Sequence, residues 1–200
     1  MKRPSVVLAS GSATRKGLLE RSGVDVDVRV PGIDEAMVTE SLVRDQVEPE
    51  DIAVCLAEMK ALRVGTREPE HVVVGCDQVL WSGGRVFHKA GSIDEARSVL
   101  LELRGRSHSL VSAAVAVIGG ARTWHATSRA ELVMRDFSDS FLESYLARNW
   151  PRIQGSVGCY RLEEEGVQLM ARVRGDLFAI MGMPLVELLE YLRVRGVLPR

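Results

Sequence analysis

The sequence has few cysteines and no long apolar run, and both shortages limit the class of protein. Its three cysteines, Cys55, Cys76 and Cys159, lie far apart and form no Cys-x-x-Cys pair. A disulfide framework or a structural zinc site is therefore not expected, and a reducing cytoplasm is the predicted compartment. The N-terminal apolar run covers only residues 6–9, too short for a signal-peptide core, and no other run approaches a membrane span.

The charge of the chain is nearly balanced, which argues against large charged partners. The sequence has 26 lysines and arginines against 27 aspartates and glutamates, a formal net charge of −1. Nucleic acids and membrane surfaces usually attract an excess of positive charge, so neither partner is expected. A small basic pocket for an anion is compatible with this balance, because net charge averages over the whole surface.

The hydrophobic pattern predicts a single α/β domain over residues 1–200. A chain of 200 residues buries roughly 70% of its unfolded surface when it folds. Strands, hairpins and amphipathic helices alternate, which favours a mixed sheet with flanking helices over a strictly parallel sheet. Predicted strands lie at 5–9, 25–30, 71–87 (a hairpin turning at 83–84), 107–118, 123–134, 157–162 and 167–173. Predicted helices run from the turn at 10–12 to residue 23, over 50–64, 92–103 and 139–148, and from residue 184 onward.

A single carboxylate interrupts one predicted buried strand. The stretch HVVVGCDQVLW, residues 71–81, is apolar on both sides of Asp77. Moving a lone charge out of water costs several kcal/mol unless a partner compensates. Asp77 therefore needs a cation, a metal ion or hydrogen-bond donors, and the sequence offers Arg15, Lys60 and Lys89 as candidate cations.

A serine-rich turn opens the first predicted helix. In LASGSATRK a strand ends at residue 9, and Arg15 and Lys16 follow in the first helical turn. Free amides at a helix N-terminus favour anions, and two cations there suit the helix dipole poorly unless an anion joins them. The alternative is that Ser12 is only a helix cap and that both cations are solvated.

Four further polar positions have both a functional and an ordinary interpretation. The Asp34-Glu35 pair, Lys60, the His88-Lys89 pair and His108 each lie beside an apolar element. Acidic pairs in loops usually face solvent, and a lysine beside a buried stripe usually extends to the surface. A histidine at the start of a strand is more often a structural hydrogen-bonding residue than a catalyst.

Taken together, these segments resemble the Maf family of nucleoside triphosphate pyrophosphatases. LASGSATRKGLLE is similar to the family pattern LASxSPRRxxLL, and HKAGSIDEARSVLLELRGRSHSL is similar to GKPxxxxEAxxxLxxLSGxxHxV. The acidic pair at 34–35, EMKAL, VGCDQV, GSVGCYRLEEEG and RVRGDLFAIMGMPLVELLEYL match the remaining motifs in the same order. The resemblance covers nearly the whole chain.

The resemblance implies an activity and roles for the polar residues. The activity is hydrolysis of the α–β phosphate bond of a nucleoside triphosphate, which yields the nucleoside monophosphate and pyrophosphate. Asp77 would be the general base, or a metal ligand together with Glu35, and the metal would be Mg²⁺ or Mn²⁺. Lys60 and Lys89 would be further catalytic residues that hold the triphosphate. Substrate-binding residues implied in the same way are Ser10, Ser12, Thr14, Arg15, Lys16, Gln78 and Tyr160.

The resemblance also implies an overall shape. The family fold is an elongated, two-lobed α/β domain with a central cleft, similar to inosine-triphosphatase-like enzymes. A homodimer is compatible with the resemblance, although no apolar stripe in the sequence requires one.

The chain departs from the family pattern at several positions. Ala13 replaces the usual proline, Lys16 replaces an arginine, and the segment 88–90 replaces Gly-Lys-Pro. At the three positions that separate the branches, this chain has Thr14, Gln78 and Tyr160. Only Gln78 agrees with the 7-methyl-GTP branch, which usually has tryptophan, glutamine and glutamate there, and none agrees with the dTTP/UTP branch.

A non-catalytic role is the main alternative. The family has been associated with septum formation, so a nucleotide-binding regulator of cell division is the competing hypothesis. Such a regulator would be expected to lack part of the catalytic set, whereas Asp77, Glu35, Lys60 and Lys89 are all present.

Overall fold

Residues 6–199 are described by this computed structural model, and they form one mixed sheet with helices packed around it. The seven strands are Val6–Ala9 (β1), Val26–Val28 (β2), Val72–Ser82 (β3), Arg85–Phe87 (β4), Ser107–Ile118 (β5), Ala121–Met134 (β6) and Met170–Arg174 (β7). The seven α-helices are Ala13–Arg21 (α1), Glu35–Arg44 (α2), Pro49–Gly65 (α3), Ile93–Leu103 (α4), Asp139–Asn149 (α5), Leu177–Ile180 (α6) and Leu185–Val194 (α7). Two 3-10 helices cover Arg152–Gly155 and Glu165–Leu169.

The sheet combines parallel and antiparallel pairing, as the sequence pattern predicted. Its strand order is β2-β1-β3-β5-β6-β7, and β4 pairs with the far end of β3. β1 is parallel to both β2 and β3. The pairs β3–β5, β5–β6 and β6–β7 are antiparallel. β5 pairs with β3 from Val73 to Trp81, whereas β1 pairs only with Val72–Gly75 and β4 only with Leu80–Ser82. Residues 76–79 of β3 therefore have a neighbouring strand on one side only, which leaves their other edge facing the gap between β1 and β4.

The core divides into clusters that follow the faces of the sheet. On one face, the apolar stripe of α3, including Ile52 and Leu56, packs against Val79 and Val111. On another, α1 and α7 pack against β1 and β3 through residues such as Leu19 and Leu188. A third cluster joins α4, α5 and the loop that follows α5 to β5 and β6.

Three segments of the chain differ from the secondary structure that the sequence predicts. The Asp34-Glu35 pair begins a helix that the sequence pattern did not predict: Asp34 caps α2 by accepting from the Met37 amide at 3.2 Å. The prediction of a strand at 157–162 is wrong, because that segment forms turns and Cys159 has φ 55°, which an extended strand cannot contain. The predicted strand at 167–173 is a 3-10 helix followed by β7.

Three smaller findings concern helix α6, residue 5 and the apolar character of the helices. The short helix α6 was not predicted, and Asp176 caps it by accepting from the amides of Phe178 and Ala179. Ser5, the first residue of the first predicted strand, lies outside the described residues. Between residues 6 and 199, no helix combines the length and the apolar character that crossing a membrane requires.

Candidate active site

A buried lysine joins the two candidate catalytic carboxylates. Lys60 Nζ lies 2.5 Å from Asp77 Oδ1 and 2.8 Å from Glu35 Oε1. Only 4% of Lys60 and 5% of Asp77 is exposed, so the ordinary interpretation of Lys60 as a surface lysine is wrong. Of the three cations that the sequence offered to Asp77, Lys60 is the one in direct contact.

This contact depends on a close approach between α3 and β3. Gly75 lies two residues before Asp77, and a Cβ atom there would be 2.1 Å from the Ala57 carbonyl oxygen. It would also lie 2.7 Å from the Ala61 amide nitrogen, on the neighbouring turn of α3. The missing side chain therefore lets the helix that carries Lys60 lie directly against the strand that carries Asp77.

The two carboxylates have opposite pKa shifts. Burial raises the pKa of Asp77, although the charges of Lys60 and Arg15 act against this rise. Burial would also raise the pKa of Glu35, but the charge of Lys60 and its hydrogen bond outweigh burial, and the pKa is lowered. The same lysine therefore lowers the pKa of the half-exposed Glu35 but does not overcome the effect of burial on the pKa of Asp77.

Arg15 holds three segments together at the edge of the site. Its Nε donates to the Gly182 carbonyl at 2.8 Å, and its Nη1 donates to the Cys76 carbonyl at 2.9 Å. Nη1 also lies 3.2 Å from Ser10 Oγ, while the Arg15 amide donates to Ser12 Oγ at 3.3 Å. Ser12 is therefore a helix cap, as the ordinary interpretation held, but Arg15 is bound to the protein rather than solvated.

A cleft of two adjoining cavities lies over these groups. The main cavity, of about 310 Å³, includes Asp77, Gln78 and Tyr160 in its lining. The second cavity, of about 460 Å³, is lined by the backbone at the start of α1 and by Lys60. Eight residues line both cavities and mark their junction: Ser12, Thr14, Arg15, Glu35, Lys89, Gly155, Ser156 and Arg161.

The polar side chains of the main cavity are fixed by the protein. Gln78 Nε2 lies 2.9 Å from the carbonyls of both Ala179 and Ile180, so its Oε1 is the atom available to a ligand. Tyr160 Oη lies 2.8 Å from His108 Nε2, and both residues are buried. Their orientations are set before any ligand binds, which is what a selective pocket needs.

Comparison with known proteins agrees with this arrangement. Residues 5–195 match the family described as "Maf-like protein". The chain belongs to the Maf-like family. It is 46% identical to the nucleoside triphosphate pyrophosphatase of Caulobacter vibrioides, over 99% of both chains. It is 42% identical to the 7-methyl-GTP pyrophosphatase of Mesorhizobium japonicum, over 96% of this chain and 97% of that protein.

A solved structure is also similar. The crystal structure of a nucleoside-triphosphatase / dITP/XTP pyrophosphatase from Mycobacterium abscessus has a TM-score of 0.42 and 17% sequence identity. The similarity covers 98% of this Maf-like chain and 94% of the mycobacterial chain.

The structure brings together all but one of the site residues predicted for a Maf-like protein. Ten line one or both cavities: Ser10, Ser12, Thr14, Arg15, Glu35, Lys60, Asp77, Gln78, Lys89 and Tyr160. Lys16 is the exception, because its Nζ lies 3.2 Å from Glu20 on the exposed side of α1. It is absent from the described lining of both cavities.

Three charged residues of the cleft were missed by sequence reasoning. Arg161 and Glu163 line the main cavity, and Arg152 lines the second. They lie on the loop after α5, in and before the motif GSVGCYRLEEEG, where a run of charges looks like a solvated surface. The only signal for Arg161 and Glu163 was their position in a motif of the Maf-like family, and Arg152 lies just before that motif.

The carboxylates suit a hard divalent cation. Asp77 and Glu35 both lie within hydrogen-bond distance of one ammonium group, so their oxygens are close enough to bind the same ion. Among residues 6–199 no group of three or more histidine, cysteine, aspartate or glutamate side chains has metal-binding geometry. Mg²⁺ commonly binds through one or two carboxylates with substrate phosphates as the remaining ligands, and this donor set fits that mode.

Proposed function

We propose that this protein is a nucleoside triphosphate pyrophosphatase that hydrolyses the α–β phosphate bond. The observation that carries the proposal is the Asp77–Lys60–Glu35 cluster at a cleft lined by further cations. The names of its full-length relatives, which are nucleoside triphosphate pyrophosphatases, support the same reaction class.

In the proposed reaction Asp77 accepts a proton from a water molecule. The water oxygen forms a bond to the α-phosphorus, the bond between that phosphorus and the α–β bridging oxygen breaks, and pyrophosphate leaves. Lys60, Arg15 and Lys89 place positive charge around the phosphates, where negative charge accumulates as the bond breaks. Because Asp77 is buried and its pKa is raised, it is a stronger base than an exposed aspartate.

A divalent cation is part of the proposal. Asp77 and Glu35 would hold Mg²⁺ or Mn²⁺, and the phosphate oxygens of the substrate would complete its coordination. When bound, the ion would neutralise phosphate charge and polarise the phosphoryl oxygen. Lys60 would keep both carboxylates oriented toward the cleft.

The polar groups of the main cavity favour a modified base. Gln78 agrees with the 7-methyl-GTP branch, and the Glu163 carboxylate lines the same cavity. A 7-methylguanine base carries a positive charge, which a nearby carboxylate would attract. The 7-methyl-GTP pyrophosphatase of Mesorhizobium japonicum is among the relatives, so we propose 7-methyl-GTP as the first substrate to test.

The decisive experiment measures pyrophosphate release from a panel of standard and modified nucleoside triphosphates with Mg²⁺ or Mn²⁺. Metal-dependent turnover is expected, and Asp77→Asn should lower the rate by roughly 10²–10⁴ if Asp77 is a positioned base. Asp27→Asn is the matched control, because Asp27 is an exposed aspartate on edge strand β2. Equal rates for wild type and Asp77→Asn would contradict the proposed role of Asp77.

The competing hypothesis predicts a different result in the same experiment. A non-catalytic regulator would bind a nucleotide without releasing pyrophosphate under any metal condition. Nucleotide binding measured by calorimetry beside the turnover assay separates the two hypotheses. A cytoplasmic location and a homodimer stay predictions.

A further inference from the structure

The second cavity carries far more positive charge than the protein as a whole. Five cationic side chains line it, against the single carboxylate of Glu35: Arg15, Lys60, Lys89, Arg152 and Arg161. The formal net charge of the whole chain is −1. Lys60 is already paired with two carboxylates and Arg161 with Glu163 and Glu164, so Arg15, Lys89 and Arg152 supply most of the remaining charge.

Arg152 is the least committed of the three arginines. Its nearest acidic contact is Glu164, where Nη1 lies 3.8 Å from Oε2, too far for a hydrogen bond. Its side chain makes no hydrogen bond to any residue between 6 and 199. Glu164 Oε2 is itself a buried oxygen that has no hydrogen-bond partner among the described residues. Arg152 therefore keeps its donors available to a ligand in the second cavity.

Arg161 is held at the junction of the two cavities. Its Nη1 lies 2.7 Å from Glu164 Oε1, and its Nη2 lies 3.3 Å from Glu163 Oε1. Nη2 also lies 3.4 Å from Thr14 Oγ1, across the cleft on α1. Glu164 thus lies between two arginines, with one oxygen facing each, and sets the spacing between them.

The order of groups along the cleft assigns a place to each phosphate. Asp77 lines only the main cavity, Arg161 lines both cavities, and Arg152 lines only the second. A nucleotide with its base in the main cavity and its α-phosphate near Asp77 can extend its leaving phosphates past the junction into the second cavity. Of these three side chains, Arg152 is the one on the far side of the junction.

We propose that Arg152 and Arg161 form the wall of the triphosphate site opposite α1, and that Arg152 binds the terminal phosphate. This inference rests on the proposed pyrophosphatase function. Arginine suits the role because its planar guanidinium donates two parallel hydrogen bonds to phosphate oxygens. Arg152 would therefore distinguish a nucleoside triphosphate from the corresponding diphosphate, which ends one phosphate earlier.

The test compares Arg152→Ala and Arg152→Lys with the wild type in two assays. The first is calorimetric binding of inorganic tripolyphosphate, and the second is KM for the best nucleoside triphosphate beside the inhibition constant of its diphosphate. Arg193→Ala is the matched control, because Arg193 is also exposed and pairs with a glutamate, Glu190, but lies on α7. Arg152 is an exposed residue, so all three variants are expected to fold.

For Arg152→Ala we expect about tenfold weaker tripolyphosphate binding and a similar rise in KM, with the diphosphate inhibition constant unchanged. Arg152→Lys should keep part of the affinity, because it keeps the charge but loses the paired geometry. Unchanged binding, or an equal loss for triphosphate and diphosphate, would overturn the assignment of Arg152 to the terminal phosphate. If the wild type turns over no nucleotide, the proposed function fails, while tripolyphosphate binding still decides the role of Arg152.

Discussion

Asp77 and Lys60 are buried together, and neither charge would be stable there alone. Each residue is at most 5% exposed, and the contact between Nζ and Oδ1 is 2.5 Å. Removing one partner of a buried ion pair leaves an uncompensated charge, whereas replacing both partners together can be nearly neutral. The pair therefore supports the fold only as a unit.

This interdependence can be measured with a double-mutant cycle. Lys60→Met should lower the free energy of unfolding by about 3–5 kcal/mol at neutral pH, because Asp77 loses its compensating charge. Adding Asp77→Asn should recover part of that loss, with a coupling of about 1–3 kcal/mol in urea unfolding. Lys16→Met is the control, since Lys16 is exposed and should change stability by less than about 0.5 kcal/mol. Additive effects of the two buried substitutions would contradict the coupling.

His108 makes the stability of the protein depend on pH. Burial lowers the pKa of His108 from 6.5 to about 4, and its Nδ1 has no hydrogen-bond partner among the described residues. The unfolded chain binds this proton below about pH 6.5, whereas the folded protein binds it only near pH 4. The stability contributed by neutral His108 is therefore complete above the unfolded pKa and is lost as pH falls toward the folded pKa.

The expected size of this effect follows from the pKa difference. Between about pH 7 and pH 4, the wild type should lose about 3 kcal/mol more unfolding free energy than His108→Gln, which cannot titrate there. Chemical unfolding at a series of pH values measures the difference. Parallel curves for the two proteins would show that His108 does not carry the pH dependence.

Among the secondary-structure elements, the approach of α3 to β3 decides whether the site can form. A methyl group at Gly75 would meet backbone atoms of α3 at 2.1 and 2.7 Å, so the helix would have to move. Gly75→Ala should lower stability by about 1–3 kcal/mol, and it should lower turnover further by separating Lys60 from Asp77. Gly17→Ala is the control, because that added methyl meets only the flexible end of the Arg21 side chain. Turnover equal to wild type in Gly75→Ala would show that the spacing is not critical.

The sequence predicted the elements whose residues bury a regular apolar stripe. Helix α4 has such a stripe and a serine cap, since Ser92 Oγ accepts from the Glu95 amide at 3.2 Å. Helix α2 was not predicted, although Val38 and Leu42 lie one turn apart and pack against the core while partly buried; Thr39 is the one fully buried residue of the helix. The segment 157–162 has the composition of a strand, but the backbone at Cys159 turns back on itself with φ 55°.

Without the family resemblance, the residue pattern alone marked the site only where one residue was out of place in its own segment. Asp77 met that condition, because an apolar strand surrounds it. Its contact with Lys60 was not predictable, since the two residues lie 17 positions apart and meet only through packing at Gly75. Arg152 begins a four-residue 3-10 helix and Arg161 lies in an irregular segment, and neither is long enough to give a periodic pattern that predicts which way its side chains face.

For the molecule as a whole, positive and negative charges are nearly equal in number, but one cavity has a local excess of positive charge. The protein is nearly neutral, yet one cavity collects five cations. Such a local field attracts an anion over short distances, and salt screens it, with a Debye length of about 10 Å at 0.1 M salt. Nucleotide capture should therefore depend on ionic strength even though the net charge is small.

The dependence on ionic strength has a direct test. KM for the nucleoside triphosphate should rise about three- to tenfold between about 0.05 M and 0.5 M potassium chloride, while kcat changes little. Guanosine, an uncharged nucleoside without the 7-methyl group, is the control ligand, and its inhibition constant should stay constant over the same range. A KM that does not respond to salt would contradict electrostatic capture by the cleft.

The central place of β3 in the sheet also determines how the protein can lose its activity. Asp77 pairs with Ala113 of β5 in a strand whose first residues also pair with β1, while Arg152 begins a short 3-10 helix and Arg161 lies in the irregular segment after it. Amide hydrogens around Asp77 should exchange with solvent only when the whole molecule opens, whereas those around the two arginines should exchange through small local fluctuations. Mild heating should then weaken phosphate binding by Arg152 and Arg161 first. The contact between Asp77 and Lys60 should persist until the entire fold is lost.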